Sequence, residues 1–488
     1  MSENIQKQGP VQKYMVLSDH DISAIHASTL EILETIGITV LHQKGMDILA
    51  DAGAKVDLAT QNVKIPSHIV EKCLKSTAKS FVMAGRLPGK DIQIDMSGRI
   101  YSRNGGGPGH VEDLESGTVR DARMVDVGDY ARLVDGIDNI EIVAPIYAQD
   151  AHPQTRDLRV LAHLFANTTK HINMRLLHLH SLPYVIRLAE IVSGGKENLR
   201  KRPVLTMLES PIAPLIIPDV LVETLLTCGE YGIPVEICSM PIAGATGPIT
   251  LAGSLLMSNV EMVTAVVISQ LVHPGAPLIF TPRIMILDMS TGHALTGSIE
   301  NALLAAAGVQ LAREAYHLPV NMHGPYTDSQ SSDAQAGMEN TYFTFLPALA
   351  GANILTGAGH LEGGLFVSYP QLMIDSELTG IIQRTIKGFP VDINSLGVDS
   401  IRRSVITRNV LTDPHTMANL RKVGSFRSKL LSREPRQKWL DQGSKTMAMH
   451  ARDLAKKLLA THQPVPLEPS VVAAIKEVVD EAAAQLEH

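Results

Sequence analysis

Residue types able to do chemistry gather at a few places in this sequence. They are the run NGGGPG at 104–109, Arg175, the carboxylates Glu209 and Glu236 (with Ser239 shortly after), Thr281 with Arg283, HGPYTD at 323–328, and His360 with Glu362. The backbone N–H groups of Asn104, Gly105, Gly106 and Gly107 could cradle a phosphate, but the Lys and Ser/Thr of a P-loop are missing. A tight turn needing positive φ explains the run equally well, and room for a large ligand is a third reading. Two carboxylates in one pocket favour a cationic ligand, because a buried charge needs a partner. The bland alternative is that Arg175 or Arg283 merely pairs with them. His178 and His180 form His-x-His, with His152, His163 and His171 nearby. Zinc needs three or four convergent ligands, and no His-Glu-x-x-His is present, so no metal site is expected. There is no Gly-x-Ser-x-Gly elbow to support a hydrolase triad.

These positions become meaningful through the elements that carry them. From about residue 98, eight strand-like runs alternate with helical patterns. The strands are expected at 99–103, 141–146, 171–176, 204–208, 234–238, 277–281, 319–323 and 353–357. Helices are expected at 126–137, 154–167, 182–193, 218–230, 248–271, 298–316, 334–350 and 371–388. Such alternation implies right-handed parallel crossovers, and eight units predict an α/β fold of the (β/α)8 TIM-barrel type. An open doubly wound sheet is the runner-up, but its Gly-x-Gly-x-x-Gly turn is missing. Residues 1–97 read as an N-terminal extension with a helix over 19–36 capped by Ser18 or Asp19, and strand-like pieces at 61–65 and 80–83. Residues 98–390 read as the barrel, and 391–488 as a helical tail packed on its exterior. In a barrel, reactive groups sit at the C-terminal strand ends, which is where the residues above fall.

Composition narrows the function classes. The 43 basic and 50 acidic residues give a formal charge of −7, which argues against a nucleic-acid binder. Cys73, Cys228 and Cys238 form no Cys-x-x-Cys and are too few for a disulfide framework, so a reducing cytoplasm is expected. The apolar stretch 248–272 carries Asn259 and Glu261 and reads as a buried core helix rather than a membrane span. The first 16 residues have no apolar segment of a signal peptide. The closing Leu486, Glu487 and His488 look like the start of an expression tag.

One block is specific. HGPYTDSQSSDAQAGMENTY (323–342) followed by LTGAGHLEGGLFVSYPQLMIDSEL (355–378) resembles the trimethylamine methyltransferase superfamily, as do ETIGI (34–38), NGGGPG, and VEDLESGTVRDA (111–122). The resemblance runs in order along nearly the whole chain. It implies a (β/α)8 barrel that moves a methyl group from an amine to the Co(I) of a separate corrinoid protein. Trimethylamine-specific members carry pyrrolysine in the loop corresponding to 328–333. Here that loop holds Ser329, Gln330, Ser331 and Ser332, so the chain resembles the non-pyrrolysine branch, whose characterised members demethylate quaternary amines such as glycine betaine. A quaternary nitrogen already carries its positive charge and leaves as a neutral amine, without a general acid.

The resemblance sets the remaining expectations. Tyr326, Phe366 and Tyr369 offer aromatic faces for an ammonium, with Glu209 or Glu236 supplying charge and Ser331 lying in the diagnostic loop. Arg283, His323 and His360 are candidates for a carboxylate end. Asn104, Gly105, Gly106 and Gly107 would leave space for the corrin. No tightly bound cofactor is expected, cobalamin being presented by a cognate corrinoid-binding partner, and a homo-oligomer is expected. Two rivals remain: a zinc-dependent barrel methyltransferase or hydrolase, and a non-catalytic betaine-binding protein.

Overall fold

The structure, a computed structural model, describes residues 14–421 and 426–487. The reading of the first residues as lacking a signal peptide therefore lies mostly outside the described residues. Eight parallel strands form the central sheet: β1 (Tyr101–Asn104), β2 (Ile142–Val143), β3 (His171–Met174), β4 (Leu205–Glu209), β5 (Val235–Ser239), β6 (Leu278–Pro282), β7 (Asn321–His323) and β8 (Ile354–Ala358). Their order is β6-β5-β4-β3-β2-β1-β8-β7. A parallel bridge between Phe280 and Val320 joins the two edge strands, with the Phe280 N–H donating to Pro319 O at 2.9 Å. The sheet is thus a closed barrel, and the open doubly wound alternative falls.

Each strand is followed by a helix: α1 (Met124–Asp135), α2 (Arg156–Asn167), α3 (Leu182–Ser193), α4 (Asp219–Tyr231), α5 (Leu251–Val272), α6 (Ile299–Gln310), α7 (Ala334–Ala350) and α8 (Tyr369–Lys387). Local chemistry sets several ends. Ser298, Asp333 and Ser368 accept a hydrogen bond from the first turn of α6, α7 and α8. Gly194 and Gly232 close α3 and α4 in the left-handed conformation. The 22-residue α5 is buried along most of its length. Its Asn259 amide donates to Thr29 Oγ1 at 2.8 Å and to the Tyr316 hydroxyl at 2.7 Å, and Glu261 accepts from Ser239 Oγ at 2.6 Å. These bonds give the Asn259 amide nitrogen and the Glu261 carboxylate partners inside the protein, as a core helix requires.

Before the barrel, a helix over Asp19–Glu31 begins at Ser18, which accepts from the Asp21 N–H at 3.2 Å. The strands Ile38–Val40, Lys55–Asp57 and Asn62–Lys64 form a small sheet with Ile216–Ile217, which lies between β4 and α4 and pairs in parallel with Ile38–Val40. The hairpin Phe81–Met83 with Ile92–Ile94 plugs the N-terminal end of the barrel. There Met83, Ile92 and Ile94 pack with Tyr101, Ile142, Ile279 and Ile354. At roughly 1.5–3 kcal/mol per buried large apolar side chain, this plug is strongly held, and a ligand can enter only from the opposite end.

After the barrel, Met447–Thr461 lies against α8, and Pro469–Leu486 lies against α2 and α3. The end of the chain is part of this packing. Leu486 closes the last helix, and Glu487 pairs with Arg159 at 2.7 Å. His488 lies outside the described residues.

Candidate active site

Alternation along each strand decides what faces the barrel axis. Tyr101 belongs to the apolar floor, so Arg103, two residues on, also points inward and one layer higher. In the same way Ile279 leads to Thr281 and Arg283. On β5, Glu236 and Cys238 share the inner face. The result is a barrel that is apolar at its foot and polar above it.

Glu236 is the centre of the polar layer. Its carboxylate accepts from Arg103 Nη1 at 3.1 Å, Asn173 Nδ2 at 2.9 Å and Arg283 Nη2 at 3.1 Å. All four side chains are buried. Both carboxylate oxygens are thus engaged by donors from β1, β3 and the turn after β6. Burial pulls the Arg103 guanidinium down to about 10, the Glu236 charge opposing that shift, so it stays protonated at neutral pH. Below this layer His171 Nε2 meets Thr206 Oγ1 at 2.8 Å, and Thr356 Oγ1 donates to Asn321 Oδ1 at 2.8 Å.

Above it opens a cavity of about 230 Å³ whose lining includes Arg103, Arg175, Arg283, Tyr147, Tyr326, His323 and His360. His323 stacks on Tyr326 with ring centroids 4.3 Å apart, and His360 meets the same ring edge-on at 5.2 Å. The Tyr326 hydroxyl donates to Gly363 O at 3.0 Å. Burial, assisted by Arg103 and Arg283, pushes His360 down to about 3. Burial likewise holds His323 far below the usual imidazole range, with Arg283 and His360 adding to the effect. Both rings are neutral at pH 7. Among the described residues, Arg103 Nε, Arg283 Nε and both ring nitrogens of His360 have no hydrogen-bond partner. The cavity therefore carries three guanidinium groups against one fully engaged carboxylate, with unused polar capacity around it.

The loops of this mouth are cross-braced. Glu362 N–H donates to Ser329 O at 2.7 Å, and Gly363 N–H to Thr327 O at 2.8 Å. Asp328 accepts from the Gly297 N–H at 2.9 Å, and Glu339 accepts from Thr327 Oγ1 at 2.6 Å. Gly357 adopts φ of 130°, and a Cβ there would come within 2.2 Å of Pro325 O. Behind β8, the buried Asp375 accepts from the Gly359 N–H at 2.8 Å, next to His360. Burial pushes the Asp375 carboxyl up to about 7 despite that bond.

The expected site residues divide. Glu236, Arg283, His323, Tyr326 and His360 come together around this cavity, although Glu236 faces arginines instead of open space. Glu209 does not line it. On β4 the inward positions are Thr206 and Leu208, so Glu209 points to the other face, where it accepts from the Leu176 N–H at 3.3 Å. Burial pushes Glu209 up to about 7, Arg175 only partly opposing it. Ser331 and Phe366 line a separate cavity of about 560 Å³, together with Arg452 and Met449 of the C-terminal segment. Tyr369 starts α8 and packs edge-on against Tyr130 at 5.5 Å, away from either cavity.

The glycine run is also reassigned. The buried Asn104 donates to Ala144 O at 3.0 Å and accepts from the Ala144 N–H at 2.8 Å, a clamp between β1 and the end of β2. A Cβ at Gly105 would fall 2.2 Å from the His360 ring, and one at Gly106 would fall 2.5 Å from the Ala144 Cβ. Asn104 and Gly105 are thus internal packing positions and cannot face a corrin. Gly106 and Gly107 do line the cavity, and Gly107, with φ of 107°, meets nothing within 4 Å.

Sequence reasoning missed Arg103, Asn173 and Tyr147. For Arg103 a signal existed, since RIYSR places Tyr101 and Arg103 on one face. Among the described residues, no group of three His, Cys, Asp or Glu side chains is placed to hold a metal ion.

The comparisons with known proteins decide the family. The family model "Trimethylamine methyltransferase (MTTB)" matches residues 2–487. This chain belongs to the trimethylamine methyltransferase family. Trimethylamine methyltransferase MttB of Desulfitobacterium hafniense (strain DSM 10664 / DCB-2) is 35% identical over 465 residues, covering 95% of this chain and 93% of that protein. Glycine betaine methyltransferase of Desulfitobacterium hafniense (strain Y51) is 29% identical over 471 residues, covering 96% and 97%. Among solved structures, the Methanosarcina barkeri monomethylamine methyltransferase (MtmB) superposes with a TM-score of 0.54 at 12% identity, covering 91% of this chain and 88% of that one, which bears on fold alone. The chain is a methyltransferase, and its 328–333 loop holds ordinary residues throughout.

Proposed function

We propose that this methyltransferase takes a methyl group from a small quaternary amine bearing a carboxylate, glycine betaine being the best single candidate. The acceptor is the Co(I) of a corrinoid held by a separate protein. The observation that carries the reading is the charge of the cavity: Arg103, Arg175 and Arg283 line it, and its one buried carboxylate, Glu236, is already shared among three donors. Arg103 and Arg283 are buried and Arg175 is exposed at the rim; a guanidinium excess of this kind calls for an anion, and a carboxylate matches its fork.

The rest of the lining suits the other end of such a substrate. Tyr147 and Tyr326 offer aromatic faces to an ammonium. The neutral His323 and His360 add no positive charge against it. No acid is needed, because the departing nitrogen keeps the bonding electron pair and becomes a neutral amine. The chain's own work is to bind the carboxylate, hold the N–CH3 bond toward the mouth and exclude water. The corrinoid supplies the nucleophile that receives the methyl group, approaching over Gly106 and Gly107. The three buried, unpaired cysteines support a cytosolic site of action.

The relatives named for trimethylamine favour a second reading, trimethylamine itself. Its neutral nitrogen must be activated before a methyl can leave, and the 328–333 loop supplies only Ser, Gln and Asp side chains. The deciding experiment presents reduced corrinoid, free and protein-bound, with a panel of quaternary amines and trimethylamine, and follows methyl-Co(III) by absorbance. Methylation from a betaine but not from trimethylamine supports the proposal, and no methylation from any quaternary amine overturns it.

A further inference from the structure

The chain carries an arm with its polarity inverted. It leaves the barrel after α8 and returns where the Lys429 N–H donates to Glu377 Oε1 at 3.0 Å and Leu430 is buried. Between residues 389 and 420, twelve large apolar side chains are 53–84% exposed, among them Phe389, Ile393, Val405, Ile406, Leu411 and Met417. The only buried residues of this stretch are polar: Ser400 and Asp413. Polar bonds shape it from inside. Arg403 holds Asp413 through two bonds of 2.8 and 2.9 Å, and His415 Nε2 meets Asn394 O at 3.0 Å. A folded shape held by polar contacts, with its apolar side chains turned outward, is built to be covered.

Three observations identify the cover. The first is area. A large aliphatic side chain offers about 60–120 Å² of apolar surface by transfer-energy bookkeeping. Twelve of them at these exposures present roughly 500–900 Å², against about 800 Å² per partner in a standard interface. The second is charge. Residues 389–420 hold Asp392, Asp399 and Asp413 against Arg402, Arg403 and Arg408, so the arm is neutral on a chain of formal charge −7. Two identical neutral surfaces meet without the repulsion that the rest of the molecule would impose. The third is position. Near the end of α8, Gln383 Nε2 reaches the carbonyl of Ile100, just before β1, and Glu141, just before β2. The arm therefore departs from the foot of the barrel, the end away from the 230 Å³ cavity.

We propose that residues 389–420 form a self-complementary interface, covered by the same arm of a second copy of this chain about a two-fold axis. This does not depend on which amine the enzyme uses.

The test is sedimentation velocity of the full chain at micromolar concentration, alongside Ile393→Glu/Ile406→Glu. The wild type is expected to sediment as an assembly of at least two copies. The double variant is expected to raise the dissociation constant at least about a hundredfold, as hot-spot loss does, with an unchanged circular dichroism spectrum. Deuterium exchange on the wild type supplies a reading that needs no variant: amides of 389–420 should gain protection as the assembly forms. A monomeric wild type, an assembly indifferent to both substitutions, or an arm that gains protection only when a corrinoid protein is added would each overturn the proposal.

Discussion

Arg283→Ala is the substitution that separates substrate recognition from scaffold. Arg283 reaches Glu236 Oε1 through Nη2 at 3.1 Å, while its Nε has no partner among the described residues. Removing it has two consequences of different kind. Glu236 loses one of three donors but keeps Arg103 and Asn173, so the polar layer is weakened and not broken. A betaine carboxylate loses a guanidinium in a desolvated site, an effect of roughly 2–5 kcal/mol, or about 30- to 5,000-fold in kcat/KM. The first consequence acts on every substrate, the second only on those with a carboxylate. The assay is therefore kcat/KM for glycine betaine and for tetramethylammonium, by methyl-Co(III) absorbance, in wild type and Arg283→Ala. We expect the ratio of the two to fall at least about 30-fold. Equal losses on both substrates would refute the assignment and leave Arg283 as a counter-ion to Glu236 alone. His323→Ala and His360→Ala, measured the same way, should change that ratio far less, because both rings are neutral.

Further outcomes follow from other parts of the site. Ser331→Ala should leave kcat/KM within about twofold, as for most surface changes, since Ser331 is exposed and lines the other cavity; a large loss would show that the loop swings inward during turnover. Glu236→Gln should destabilise the fold by roughly 3–5 kcal/mol, the cost of leaving a buried charge pair half-made, and thermal unfolding with and without saturating ligand reads it. The pH dependence has a defined sign. His360 titrates at about 3 in the folded chain and near 6.5 unfolded. Its contribution is therefore fully present above pH 6.5 and is lost as pH falls toward 3. Glu209 and Asp375, both raised to about 7, act oppositely, favouring the folded state at lower pH. The readable quantity is thus the stability of wild type minus His360→Gln. Between pH 4 and 6.5 it should rise with pH by up to one proton, about 1.4 kcal/mol per pH unit; a flat difference would contradict the neutral buried imidazole.

The barrel was legible because each unit repeats one signal: a short strand-like run, a turn, then apolar residues at helical spacing. Eight repetitions leave few topologies. The floor of the barrel was much less legible. Nothing in 81–94 announces that this hairpin will plug β1, β2, β6 and β8, since that contact joins residues far apart in sequence. The site was readable to the level of strand ends and not to the level of faces. A strand shifted by one residue exchanges its inner and outer sets, and that is the fate of Glu209, which ends β4 as expected and yet points away from the cavity. The same parity, used from Tyr101, would have found Arg103. Ser331, Phe366 and Tyr369 came from the family block, which marks the rim of the barrel without distinguishing its two cavities. The glycine run shows the limit of reading small residues as space: Gly105 is small because His360 lies against it, not because a ligand does.

The electrostatics of the mouth fit the direction of the proposed transfer. A betaine enters with a positive nitrogen and a negative carboxylate. When the methyl leaves, the nitrogen loses its charge and the carboxylate keeps its own. Three guanidinium groups around the carboxylate therefore become better matched to the ligand as the reaction proceeds, because the ammonium that opposed them disappears. Interactions that strengthen toward the transition state speed the chemical step, whereas equal binding of substrate and transition state does not. The neutral His323 and His360 matter in the same sense. Protonated, either would oppose binding of the ammonium from the start; burial beside Arg103 and Arg283 prevents this. Glu236 completes the arrangement by what it does not do. With both oxygens engaged by Arg103, Asn173 and Arg283, it holds the arginines in place without offering the substrate nitrogen a competing anion that would stabilise the charge about to be lost.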